Sequence, residues 1–96
     1  MSIDWRALLR AEGADPELLR SATTRFCRIE IVGGVRVFVG RFRDDELPWW
    51  WREGDVRVHV ATVEDGVRAA LEWCRAEVDR RIADLQRERA RLGGAT

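Results

Sequence analysis

The segment FCRIEIVGGVRVFVGRF, residues 26–42, decides how this chain is read. Apolar residues recur with a period of two on both sides of Gly33-Gly34, and most are β-branched or aromatic. The pattern predicts two antiparallel strands joined by a tight turn whose glycines supply positive φ angles. With a two-residue turn, Val32 opposes Val35, Ile31 opposes Arg36, Ile29 opposes Phe38 and Cys27 opposes Gly40. One face then holds Cys27, Ile29, Ile31, Phe38 and Phe42. The other carries Phe26, Val32, Val35, Val37 and Val39 beside Arg28, Glu30 and Arg41. Both faces are apolar enough to predict at least partial cover on each, by helices or by another chain.

Toward the C-terminus, DVRVHVA (55–61) reads as a third strand, with Val56, Val58 and Val60 on one side and Arg57 and His59 on the other. Thr62 then caps a helix with Glu64 and Asp65 in its first turn and Arg87, Arg89 and Arg91 near its end, as the helix dipole favours. Val67, Leu71, Cys74, Val78, Ile82, Leu85 and Leu92 fall within a stripe roughly 80° wide at ~100° per residue. Such a helix, some 30 residues long, reaches about 45 Å, against ~23 Å for strands of about seven residues. Its second half therefore overhangs the sheet, and Ile82, Leu85 and Leu92 need cover from the N-terminal helices or from a second copy of the chain. A separate strip of small residues, Gly66, Ala69, Ala76 and Ala83, surrounds Trp73 and offers a close-packing face.

Toward the N-terminus, Ser2 and Asp4 open a short helix carrying Trp5, Leu8 and Leu9 that Gly13 ends. In DPELLRSA (15–22), Asp15 as cap and Pro16 at the first helical position predict a second short helix. The expected architecture is α+β. It has two short N-terminal helices, a three-stranded antiparallel meander and a long C-terminal helix packed across the sheet, in one domain spanning 1–96 with a loose tail at 93–96. The strand-then-helix order resembles double-stranded-RNA-binding domains; the lysine cluster which that family places at its second helix start is absent, and here that start is acidic.

The 96 residues, 46% of them hydrophobic, suffice for one core. Seventeen arginines balance 17 acidic residues, so no global field steers the chain to nucleic acid or to an anionic membrane. The absence of lysine, asparagine and tyrosine fits GC-rich bacterial or phage coding. No cationic leader with an apolar run opens the chain, and no stretch approaches the ~18 apolar residues of a membrane span, so a cytoplasmic location is expected. Cys27 and Cys74 each sit in an apolar pattern and are expected as buried free thiols.

No reaction centre is legible. His59 falls on the strand side opposite Cys27, which argues against a Cys-His pair. One histidine is too few for a zinc site built on imidazoles, and the adjacent carboxylates Asp44, Asp45 and Glu46 read as a solvated loop. No cofactor and no metal is expected, and the chain is read as non-enzymatic.

Two binding classes remain. The first is a protein–protein interaction module that self-associates, of the kind common among phage and mobile-element accessory or inhibitor proteins. Its contacts would use Trp49, Trp50, Trp51, Arg52 and Trp73. The three tryptophans of LPWWWREGD (47–55) read as a loop in which Trp49 and Trp51 plug the core and Trp50 turns outward, a rigid aromatic rimmed by charge. The second class is a nucleic-acid binder. Residues 25–43 hold five arginines against one glutamate, and an antiparallel ribbon can enter a groove using Arg28, Arg36, Arg41, Arg43 and Arg57.

Overall fold

The glycine turn forms, one residue longer than its sequence predicts. In a computed structural model that describes residues 3–42 and 48–94, β2 (Phe26–Ile31) pairs antiparallel with β3 (Val35–Arg41). Ile31 opposes Val35, so the loop is Val32-Gly33-Gly34, with φ of 87° at Gly33 and 77° at Gly34. The extra residue shifts the register by one, and a one-residue slip moves every side chain to the other face. Cys27 now opposes Val39, Ile29 opposes Val37, and Phe38 leaves the core side to sit opposite Arg28. The physical reason lies across the sheet. A helix approaches at Gly66, where an added Cβ would lie 3.1 Å from Val39 Cγ1 and 3.4 Å from Val60 Cγ2. That spacing has room for valine and none for phenylalanine.

The sheet has five strands, not three, in the plain meander order β1-β2-β3-β4-β5. The first is β1 (Leu19–Ala22), taken from the segment whose sequence predicts a second short helix. Asp15 caps as expected, accepting from the Glu17 amide at 2.9 Å, but only a single 3₁₀ turn follows, Pro16–Leu18. A helix this short is not self-supporting, whereas Leu19 opposite Ile29 gains strand pairing and core packing together. The second added strand is β4 (Trp49–Glu53), the tryptophan segment itself, which turns through Gly54-Asp55 into β5 (Val56–Val60). As expected, β5 keeps its three valines on one side; it is the sheet edge, and Val56 and Val58 are exposed.

Helix α1 (Trp5–Ala11) is capped by Asp4, whose side chain accepts from the Ala7 amide. Ser2 and residues 43–47, with the acidic triplet and Arg43, lie outside the described residues. Helix α2 (Val63–Leu92) has the predicted limits, with Thr62 accepting from the Asp65 amide at 3.1 Å and Gly93 at positive φ beyond its end. Both helices pack on one face of the sheet. The core there is built from Trp5 and Leu9 of α1, Cys27, Ile29, Val37 and Val39 of the sheet, and Val67, Ala70, Leu71 and Cys74 of α2. The Trp5 indole donates to the Thr23 carbonyl at 2.9 Å and meets Trp49 edge-on, centroids 6.5 Å apart. Both cysteines are buried and unpaired in disulfides. Among the described residues no helix is long and apolar enough to cross a membrane.

Candidate functional site

Alternation along β2–β5 leaves a second sheet face, and among the described residues neither helix lies over it. The pairing register arranges its side chains in rows across the strands. Phe26, Gly40, Trp50 and His59 form one row, Arg28, Phe38, Arg52 and Arg57 the next, and Glu30 with Arg36 a third. An aromatic row therefore runs beside an arginine row.

The aromatic row is held flat by a missing side chain. A Cβ at Gly40 would overlap the six-membered ring of Trp50, so that indole lies across the bare backbone of β3. Phe42 extends the row, 5.8 Å from Trp50 and 6.0 Å from His59 between centroids. Phe26 and Phe42 keep 40% and 36% of their surface exposed, enough to offer ring faces to a ligand.

The arginine row carries an electrostatic cost. Arg52 lies directly opposite Arg57, and like charges at opposed strand positions are destabilising. Both guanidinium groups stack on rings instead of finding carboxylates there. Arg52 sits 4.7 Å over Phe38, and Arg57 sits 4.4 Å from Phe42 and 5.0 Å from Trp50. Glu30 is the one carboxylate projecting from this face of the described strands. It lies 3.7 Å from Arg20 and 3.6 Å from Arg36, at the far end from the tryptophan. Three buried donors, Arg28 Nε, Trp50 Nε1 and Arg52 Nε, have no hydrogen-bond partner. The face is thus rich in donors and positive charge, and five arginines (20, 28, 36, 52 and 57) stand there against Glu30.

The structure brings together residues from both candidate sets and divides each. Trp50 and Arg52 share this face with Arg28, Arg36 and Arg57. Trp49 and Trp51 face the helices, as the alternation predicts, and pack half-buried on the core with Trp73. Trp50, expected outward and wet, is turned outward but half-buried under Arg57. Arg41 is on the helix side at the end of β3, 5.6 Å over the Trp49 ring. Phe26, Phe38 and Phe42 were not singled out for binding by the sequence; the two-residue turn Gly54-Asp55 between WWWRE and VRVHV was the signal that could have added the fourth strand and revealed the row.

Other chemistry finds little support in the geometry. Burial pushes the Cys27 thiol up to about 12, against a small opposing effect of a backbone hydrogen bond from Val39, and burial pushes Cys74 up to about 11. Neither thiol is a thiolate at neutral pH. His59 is on the opposite sheet face from Cys27. No three His, Cys, Asp or Glu side chains converge as metal ligands among the described residues.

No protein-family model matches this chain, and comparisons with curated proteins and with solved structures find no match to it.

Proposed function

We propose that the chain is a non-catalytic binding protein whose open sheet face takes single-stranded nucleic acid. The observation that carries this reading is the aromatic row set beside an arginine row, with donors left unpartnered. Bases have π faces that stack on phenyl rings such as the exposed Phe26 and on guanidinium planes, and phosphates are the acceptors that stacked guanidinium groups lack. A duplex hides its base faces, so ring stacking favours a single strand over the groove insertion the hairpin alone suggests. Five strands at ~4.8 Å make a platform about 20 Å across, suited to a short run of on the order of four nucleotides. The opposed Arg52 and Arg57 also fit the proposal, because a phosphate between them converts a repulsion into two charge-assisted hydrogen bonds.

The test is fluorescence anisotropy of labelled 12-nucleotide pyrimidine DNA and RNA, and of the matching duplex, at 50 and 300 mM salt. Binding of the single strands is expected at low salt. About three phosphate contacts would give a log–log salt slope near −2. Phe42→Ala and Arg57→Ala should each weaken it by roughly ten-fold or more, a base stack being worth ~1–3 kcal/mol. Absence of binding at 50 mM salt overturns the proposal, and tighter binding of the duplex returns the site to the hairpin-in-groove mode. Capture of a protein partner by the same face at both salt concentrations, lost in Phe42→Ala and without binding of any nucleic acid, would assign it instead to the protein-interaction class.

A further inference from the structure

The second half of α2 carries an apolar seam that the fold does not use. Buried residues of this helix end at Cys74, while Ile82, Leu85 and Leu92 are 48%, 69% and 78% exposed. The molecule is 58 Å long and only 24 by 18 Å across, as a protruding helix requires. Val78, Ile82, Leu85, Arg89 and Leu92 are spaced four, three, four and three, the spacing of the core positions of a two-stranded coiled coil.

We infer that two copies of this chain associate through this seam as an antiparallel helix pair, with Leu92 of each copy seated against the body of the other. Charge selects the orientation. In a parallel pair Arg89 would face Arg89 of the second copy inside the seam. In an antiparallel pair Ile82 meets Leu85 of the second copy, Arg89 lies over Val78, and Leu92 arrives level with Arg75. Arg81 then flanks Glu88 of the second copy, twice by symmetry. Sliding the pair outward by one heptad would set Glu88 against Glu88, so charge also selects the register.

A groove at the body end of the seam fits that register. An open, mainly apolar cleft of about 310 Å³ lies between Gly13, Ala14, Leu18 and Ile31 on one side and Leu71, Cys74 and Val78 of α2 on the other, with Arg75 at its margin. Pairing that places Leu92 level with Arg75 delivers a leucine to this cleft in each copy. The helices then overlap over residues 75–92, about 27 Å. The inference is independent of what the sheet face binds.

Sedimentation equilibrium of the full chain between 1 and 200 µM tests it. The mass should approach twice the 11.1 kDa of one chain. Leu85→Glu should return it to one chain while the melting curve stays cooperative, since Leu85 is exposed in the single copy. Glu88→Arg and Arg81→Glu should each raise the dissociation constant roughly ten-fold, two attractive pairs becoming repulsive, and the combined variant should restore it. In the parallel arrangement Arg81 would face Gln86 and Glu88 would face Gly93, so neither reversal would act. One-chain mass throughout, a dimer that survives Leu85→Glu, or charge reversals without effect would each overturn the inference.

Discussion

The two faces of the sheet come from the same strands and differ in what stabilises them. At its centre the helix-side face is small and β-branched: Ile29, Val37 and Val39 have no exposed surface, Gly66 lets α2 approach Val39 closely, and Trp49 and Trp51 pack beside them. The open face is aromatic and cationic, its rings covered by guanidinium groups instead of by a helix. Burial of apolar area dominates on the first, at ~25 cal/mol per Å², whereas stacking and cation–π contacts of ~0.5–2 kcal/mol act on the second against repulsion of opposed arginines. Among the described residues no helix lies over the face that bears that repulsion.

Single substitutions should separate the faces most sharply at the core. Trp5→Ala is expected to cost ~3–5 kcal/mol in urea unfolding, because it removes a buried indole and leaves the Thr23 carbonyl without its donor. Phe26→Ala on the open face should cost about 1 kcal/mol or less. Equal costs would mean that the open face is covered in solution.

Overpacking provides the next test. Gly40→Val drives side-chain atoms into Trp50 and should destabilise by ~1–3 kcal/mol. In a Trp50→Ala background the same substitution should cost far less, and a double-mutant cycle measures the coupling. Additive costs would show that the indole does not lie on Gly40.

Between pH 9 and about 11 the two thiols are the side chains that titrate, since the chain has no lysine and no tyrosine. The folded-state values of Cys27 and Cys74 are raised, so their contribution to stability is fully present below the unfolded value near 9. It is lost as pH rises from there through about 11 to about 12. Urea midpoints under reductant should fall between pH 9 and 10, each thiol costing on the order of 1.4 kcal/mol per pH unit. A flat profile would place the thiols in contact with water.

The smallest effect belongs to the rim of the open face. Glu30→Gln breaks two long, exposed contacts to Arg20 and Arg36 and should change stability by less than ~1 kcal/mol. Because it removes the carboxylate from that face, it should tighten single-strand binding at low salt if the proposed function holds. Weaker binding would mean that Glu30 orients the arginines.

Much of this was legible in the sequence because it is decided within a few residues. Thr62 and Gly93 bound α2 through their own capping chemistry, the alternation of 26–31 and 35–41 makes strands, and the same alternation turns Trp49 and Trp51 to one side and Trp50 to the other. Segments whose local signals conflicted were decided elsewhere. Leu19–Ala22 follows a helix cap yet pairs with β2, because strand pairing and the packing of Leu19 outweigh a turn of helix that cannot stand alone.

By itself, then, the sequence determined the α+β class, three of the five strands, the length of the last helix and the burial of its first half. Tertiary structure alone decided the register. Both readings of VGGV satisfy the turn, and they differ by one residue in which set of side chains meets the helices. Close approach at Gly66 resolves that choice for valine, and so turns Phe26 and Phe38 to the open side beside the arginines, where pairing of β4 with β3 adds Trp50. The candidate site owes its phenyl rings to close packing at Gly66, which leaves no room for a ring at the position of Val39, a constraint that no stretch of the chain carries locally.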